Sequence, residues 1–209
     1  MRAKFEQQLK ELNDGIVLMG VQCEDGIRAA VQALIDGEKD KSAKAISLEK
    51  DIDMQEDVLR ALCMRLLLQQ QPVAGDLRFI SSALKIITDM ERLGDQAADI
   101  AEIAEQNEFS EGYNKKHISD MADAVIQMIT DVVSAFVKKD MDLANAVIRH
   151  DDVVDDLFYS IRRDLVGMIC DEAQHPRQLA EQALNLLLVA KYLERMGDHI
   201  VNIAENVIV

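Results

Sequence analysis

Tryptophan is absent from this 209-residue chain, and aromatic residues of all kinds make up 4%. Proline occurs twice and glycine nine times. Sheet-rich folds draw on aromatics for their strands and on Pro and Gly for their many turns, so these shortages exclude most of them. Cysteine is nearly as scarce. Cys23, Cys63 and Cys170 are odd in number and far apart, and no CxxC or Cys/His zinc spacing occurs. They are expected as three reduced thiols of a cytosolic protein, each buried in a helix face. No apolar run approaches the roughly 20 residues that a membrane span needs; the longest, Leu66–Leu67–Leu68, is trivial. The first residues, MRAKFEQQLKEL, contain no apolar signal-peptide core. A soluble, cytoplasmic chain is expected, with any membrane role exercised through a partner.

Positive charge is also in short supply. Lys and Arg number 23 against 38 Asp and Glu, for a net charge of −15. Nucleic acid is thereby excluded as a partner, since no basic surface is available to neutralise phosphates. Anionic membrane surfaces are disfavoured on the same ground. So is phosphate as a direct ligand, although a local site can override net charge. Cations and basic protein patches are favoured.

What the chain does have is leucine, isoleucine, valine, alanine and methionine in helical spacing, and one acidic stretch written twice. Residues 84–102 read LKIITDMERLGDQAADIAE and residues 187–205 read LLVAKYLERMGDHIVNIAE. At an offset of 103, eight of the nineteen positions are identical, around a shared Glu-Arg-(Leu/Met)-Gly-Asp. A repeat of half the chain length fixes the architecture before anything else does. With about 100° per residue and Glu91 at zero, Asp95 falls near 40°, Asp99 near 80° and Glu102 near 20°. These acids share one stripe, with Ile86, Met90, Leu93, Ala97 and Ile100 on the other side. The second copy places Glu194, Asp198 and Glu205 alike.

Taken in order, helices are expected over residues 2–36, 41–70 and from a cap at Asp76 to about 106. A turn is expected at 36–40, and Pro72 ends the second helix. Gly15, Gly20 and Gly26 weaken the first helix but permit close helix–helix approach. Residues 107–113 form the linker. The second half repeats the plan, with helices at about 114–139, through 151–162, and at about 177–208. A turn falls at Asp140 and a break at His175–Pro176. Residues 33–46 align with 135–148 at an offset of 102. The fold class is therefore all-α, two tandem three-helix bundles related by internal duplication, over residues 1–107 and 108–209.

The same offset pairs Glu49 and Asp53 with Asp151 and Asp155, and Arg60 with Arg162. Each half thus has two helices bearing an acid-xxx-acid pair, and four carboxylates converge if those helices are neighbours. A lone pair means little, because chance alone gives roughly 7 in such an acidic chain. The plain alternative is a solvated helix face with Arg92 and Arg195 as ion-pair partners. Recurrence in both halves, with Gly94 and Gly197 in the same slot, favours a site. Mid-helix Gly costs about 1 kcal/mol against Ala, so it signals close approach, first of a packed helix and second of a ligand. Oxygen-only donors suit Mg²⁺, Mn²⁺ or iron, and Zn²⁺ less well. His199, present in one copy only, is at most an optional ligand. Glu172-xx-His175 is half of a di-iron motif and stands alone. No nucleophile elbow, phosphate loop or dinucleotide fingerprint occurs, and no catalytic constellation is expected.

The whole chain resembles the PhoU family of phosphate-specific transport regulators. The resemblance is carried by Phe5…Leu9…Leu12…Met19, by Gln71–Pro72–Val73–Ala74–Gly75–Asp76–Leu77–Arg78, by Glu91–Arg92–Leu93–Gly94–Asp95, and by Glu194–Arg195–Met196–Gly197–Asp198–His199…Asn202–Ile203–Ala204–Glu205. It implies a cytoplasmic, homodimeric, non-enzymatic negative regulator of phosphate uptake and phosphate-starvation signalling. Its implied partners are the phosphate transporter ATPase subunit and a sensor histidine kinase. It also implies metal ions (Mg, Mn, Fe or Zn) at Glu49, Asp53, Glu91 and Asp95 in the first bundle, and at Asp151, Asp155, Glu194 and Asp198 in the second. The alternatives are a PhoU-like accessory domain serving a different ion transporter, a carboxylate-bridged metalloenzyme, and a metal-free structural dimer.

Overall fold

The computed structural model describes residues 2–70, 72–107, 115–170 and 176–208. They form six helices: α1 (Arg2–Asp36), α2 (Lys39–Gln70), α3 (Ala74–Gln106), α4 (Lys116–Lys138), α5 (Met141–Cys170) and α6 (Pro176–Ile208). No strand occurs among the described residues. Helices α1, α2 and α3 pack together as one bundle and α4, α5 and α6 as a second. The bundles meet along two seams, α1 against α4 and α3 against α6.

The turns that close each bundle match across the duplication. Gly37 ends α1 in the left-handed region at φ 71°, and its amide donates to the Ala33 carbonyl at 2.9 Å. At the matched position Lys139 takes the same conformation, at φ 55° and ψ 42°. A non-glycine residue is uncommon there because of its Cβ. The two turns thus share one geometry, with glycine in the first and lysine in the second. Asp140 then caps α5: its Oδ1 accepts from the Leu143 amide at 3.0 Å. Asp76 does not cap α3 as expected. Val73, in extended geometry, occupies that position without a side-chain bond, and Asp76 lies inside the first turn. A carboxylate there still meets the positive end of the helix dipole. The linker expected over 107–113 lies outside the described residues beyond Asn107, as do Glu172 and His175. Past that stretch, the Lys115 ammonium donates to the Ile35 carbonyl near the end of α1 at 2.7 Å.

One continuous apolar core runs through both bundles. On α1, Leu12, Ile16, Met19, Cys23 and Ile27 are fully buried, one helical turn apart in succession. Each such large side chain contributes about 1.5–3 kcal/mol by leaving water. Gly15 admits Leu59 of α2, and a side-chain carbon at Gly20 would stand 2.8 Å from Val133 Cγ2 of α4. Gly26 has only ordinary contacts, the nearest at 3.7 Å. Phe79 stacks on Phe136 across the bundles, with ring centroids 5.0 Å apart. All three cysteines are free. Cys23 and Cys63 are buried as expected, and burial pushes the Cys63 thiol up to about 11. Cys170 is exposed; it ends α5 in an apolar stretch whose Val166 and Ile169 are exposed too.

Candidate metal centre

Glu49, Asp53 and Glu56 sit on one face of α2, spaced i, i+4 and i+7. Glu91 and Asp95 sit on the facing side of α3. Between them Ile52 packs onto Gly94, where an added side-chain carbon would stand 3.0 Å from Ile52 Cδ1. That packing places the two backbones, and so the two rows of acids, against each other.

Glu49, Asp53 and Asp95 each offer a carboxylate oxygen, and the three oxygens lie within 4.8 Å of one another. This is the one such group of His, Cys, Asp or Glu side chains among the described residues. Glu49 is half-buried, and Asp53 and Asp95 face solvent. Burial holds the Glu49 carboxyl above its ordinary range, and the Asp53 and Asp95 charges add to that. Asp95 is raised by burial and then by Asp53 and Asp99, with Arg92 opposing. Glu91 is raised by burial, then by Asp95, Glu56 and Asp53. It belongs to the same field but stands outside the close triad. Donors around one hard cation bind at about 2.0–2.6 Å and therefore sit within about 5 Å of each other. The triad meets that condition, and its donor set is all oxygen. Its residues fit such an ion.

The second quartet converges less tightly. Burial pushes the Asp151 carboxyl up to about 6, helped in turn by Asp155, Asp198 and Glu194. Asp155, Asp198 and Glu194 thus all act on Asp151, but the four carboxylates do not form a close group. Glu194, however, is held by the Lys191 ammonium one turn earlier on α6. The matched position in the first bundle is Thr88, which leaves Glu91 without such a partner. The two glycines also differ in use. Where Gly94 receives Ile52, Gly197 receives the Asp151 carboxylate, with Val154 Cγ1 at 3.4 Å from an added carbon. Valine at the position of Ile52 leaves room for the carboxylate to turn inward.

His199 is not at either cluster. Its Nδ1 lies 2.9 Å from Asp89 Oδ1, across the seam between α6 and α3. Nearby Tyr192 shares a hydrogen bond with Asp99, and burial chiefly raises the phenol above its ordinary range. Asp99 therefore reaches the seam while still adding to the charge on Asp95. Glu56 is the site residue that pattern reading passes over. Its signal was present, seven residues after Glu49 on the same face, but the duplication hides it because Phe158 stands at the matched position. Arg60 pairs with Glu56 and holds it beside the cluster.

Tandem three-helix bundles, each with facing acid pairs beside a helix glycine, define a class of duplicated all-helical proteins. The PhoU domain model matches this chain twice, over residues 16–104 and 118–207, and the chain belongs to the PhoU family. It is 35% identical over 210 residues to the phosphate-specific transport system accessory protein PhoU homolog of Clostridium acetobutylicum, covering 99% of this chain and 94% of the relative. The crystal structure of PhoU from Pseudomonas aeruginosa superposes with a TM-score of 0.90 at 32% identity, covering 98% of this chain and 97% of that one. The phosphate transport system regulatory protein PhoU from Streptococcus pneumoniae gives a TM-score of 0.87 at 25% identity, covering 98% and 95%.

Proposed function

We propose that this chain is a cytoplasmic, non-enzymatic accessory protein of phosphate transport that damps uptake and phosphate-starvation signalling. Its partners in this reading are the transporter ATPase subunit and a sensor histidine kinase, and it acts as a homodimer of chains with repeats 1–107 and 108–209. The similarity to accessory proteins of the phosphate-specific transport system over nearly the whole chain supports the transport role. No helix among the described residues is long and apolar enough to cross a membrane, which accords with action through partners.

The observation that carries the mechanism is the close triad Glu49, Asp53 and Asp95. Glu91 and Glu56 deepen its negative potential, and Asp151, Asp155, Glu194 and Asp198 supply a second acidic face. A bound divalent ion supplies positive charge that cancels the repulsion among these carboxylates. The acids orient that charge at the helix surface, so metal load sets which partner surface the protein meets.

Affinity capture from phosphate-replete cells, with metal content measured on the same sample, tests the reading. The expected result is recovery of the phosphate transporter ATPase together with bound iron, manganese, magnesium or zinc. Recovery of another ion transporter instead, with no phosphate-transport component, sinks the phosphate reading.

A further inference from the structure

A cleft of about 580 Å³ opens where α2 and α3 meet the end of α6. Arg60, Lys85 and Arg92 line it, and Thr88, Asn202 and Asn206 add neutral polar groups. In a chain of net charge −15, three cations around one cleft run against composition. Arg60 pairs with Glu56 and lies 3.4 Å from the Thr88 hydroxyl. Lys85 and Arg92 are exposed; neither has a hydrogen-bond or ion-pair partner among the described residues. The one carboxylate in the lining, Asp89, is engaged by His199. Cationic capacity is therefore left over in the cleft.

The duplication provides an internal control. At the positions matched to Lys85 and Thr88 the second bundle carries Leu188 and Lys191. The corresponding groove there is lined by Phe158, Arg162, Leu184, Leu187, Leu188 and Lys191; it is more apolar, and Lys191 is taken by Glu194. Arg60 and Arg92 have arginine counterparts in Arg162 and Arg195, so Lys85 is the cation that the first-bundle cleft holds and its counterpart lacks.

We propose that this cleft binds a phosphorylated small molecule bearing at least two phosphoryl groups. Planar guanidinium groups and an ammonium suit phosphoryl oxygens, and the hydroxyl and amide side chains can donate to them. Met64 and Leu84 form an apolar wall that suits a ring carried by the same ligand. The volume lies within the range of small-molecule pockets, about 300–1,000 Å³, and is roomy for a lone phosphate. Repulsion from the rest of the chain is screened over about 8 Å at physiological salt, so the local cations decide. The proposal rests on the cleft's own cations and not on a bound metal, and the cleft adjoins the acid triad, since Arg60 pairs with Glu56 beside it.

Calorimetric titration of the full chain tests this, in EDTA to keep metal off both the acids and the probe. ATP, pyrophosphate and orthophosphate are titrated separately. ATP and pyrophosphate are expected to bind, and orthophosphate about tenfold more weakly or not at all. Lys85→Leu, which copies the exposed second-bundle residue, is expected to weaken ATP about tenfold, and Arg60→Gln to do likewise. Arg162→Gln, the matched change in the second bundle, is expected to leave binding unchanged. Absence of heat with both ATP and pyrophosphate overturns the proposal. So does ATP binding that survives both Lys85→Leu and Arg60→Gln, and so does binding of orthophosphate alone.

Discussion

The Oδ1 atom of Asp151 stands where the side-chain carbon of any larger residue at 197 would have to go. The glycine of the second acidic motif is therefore a seat for a carboxylate, whereas that of the first is a seat for Ile52. Alanine at 197 would expel Asp151 from its place over α6. In metal-free protein the change should be neutral or stabilising by up to about 1 kcal/mol, through helix propensity. It should also remove metal binding at the second cluster. Gly94→Ala, which asks Ile52 to shift, should leave metal binding intact. Metal titration of the two variants checks this, and full second-cluster binding in Gly197→Ala would contradict the assigned role.

Divalent metal should raise thermal stability by mass action, by about 2.7 kcal/mol at a free concentration of 100 Kd. Asp95→Asn should abolish most of that gain, since Asp95 belongs to the close triad. Glu194→Gln should remove less, because Lys191 already holds its carboxylate. An unchanged melting temperature with Mg²⁺, Mn²⁺, Fe²⁺ and Zn²⁺ each at saturation would refute a metal role.

The raised Asp151 carboxyl makes a pH prediction with a definite sign. Its folded value of about 6 lies above the ordinary 3.8, so the folded chain holds the proton more tightly than the unfolded one. The resulting stability is fully present below about 4 and is lost as pH rises toward and through 6. Metal-free Asp151→Asn should show a flatter profile across this window in urea denaturation. Metal affinity should fall as pH drops through the same range, because ligands must shed their protons. A wild-type profile as flat as that of the variant would argue against the crowding.

His199 and Asp89 are each 13% exposed and join the two bundles. Removing the imidazole with His199→Ala leaves a shielded carboxylate without its partner, at a cost of about 1–3 kcal/mol. Asp89→Asn in the same background should recover part of the loss. A double-mutant cycle measures the coupling, and a value near zero would show that the pair is incidental.

Most of this fold was legible because it rests on periodicity and duplication. The helix bounds follow from apolar spacing, from Gly37 and from Pro72, and matched offsets point to the helices that bring Glu49, Asp53 and Asp95 together. The remainder depended on facts that repeat counting averages away. Glu56 was lost because its counterpart is Phe158, and Asp76 was misplaced because Val73 takes the cap without any side-chain bond. His199 lies beside an acidic motif in sequence, yet its helix turns it by about 100° from Asp198, toward the seam. Cys170 is exposed because composition gives the average burial of a residue type, not its position relative to a helix end. The tether on Glu194 required knowing that Lys191, one turn earlier, reaches it.

The contact of Gly20 with Val133, and the stacking of Phe79 on Phe136, make the two halves parts of a single solid. A duplicated protein built on a flexible joint could present its acidic faces to two partners of any spacing. Here the spacing is fixed like the jaws of a set gauge. A partner that reads both faces must therefore match a constant separation, and a metal taken up as proposed would alter what the jaws attract without altering how far apart they stand.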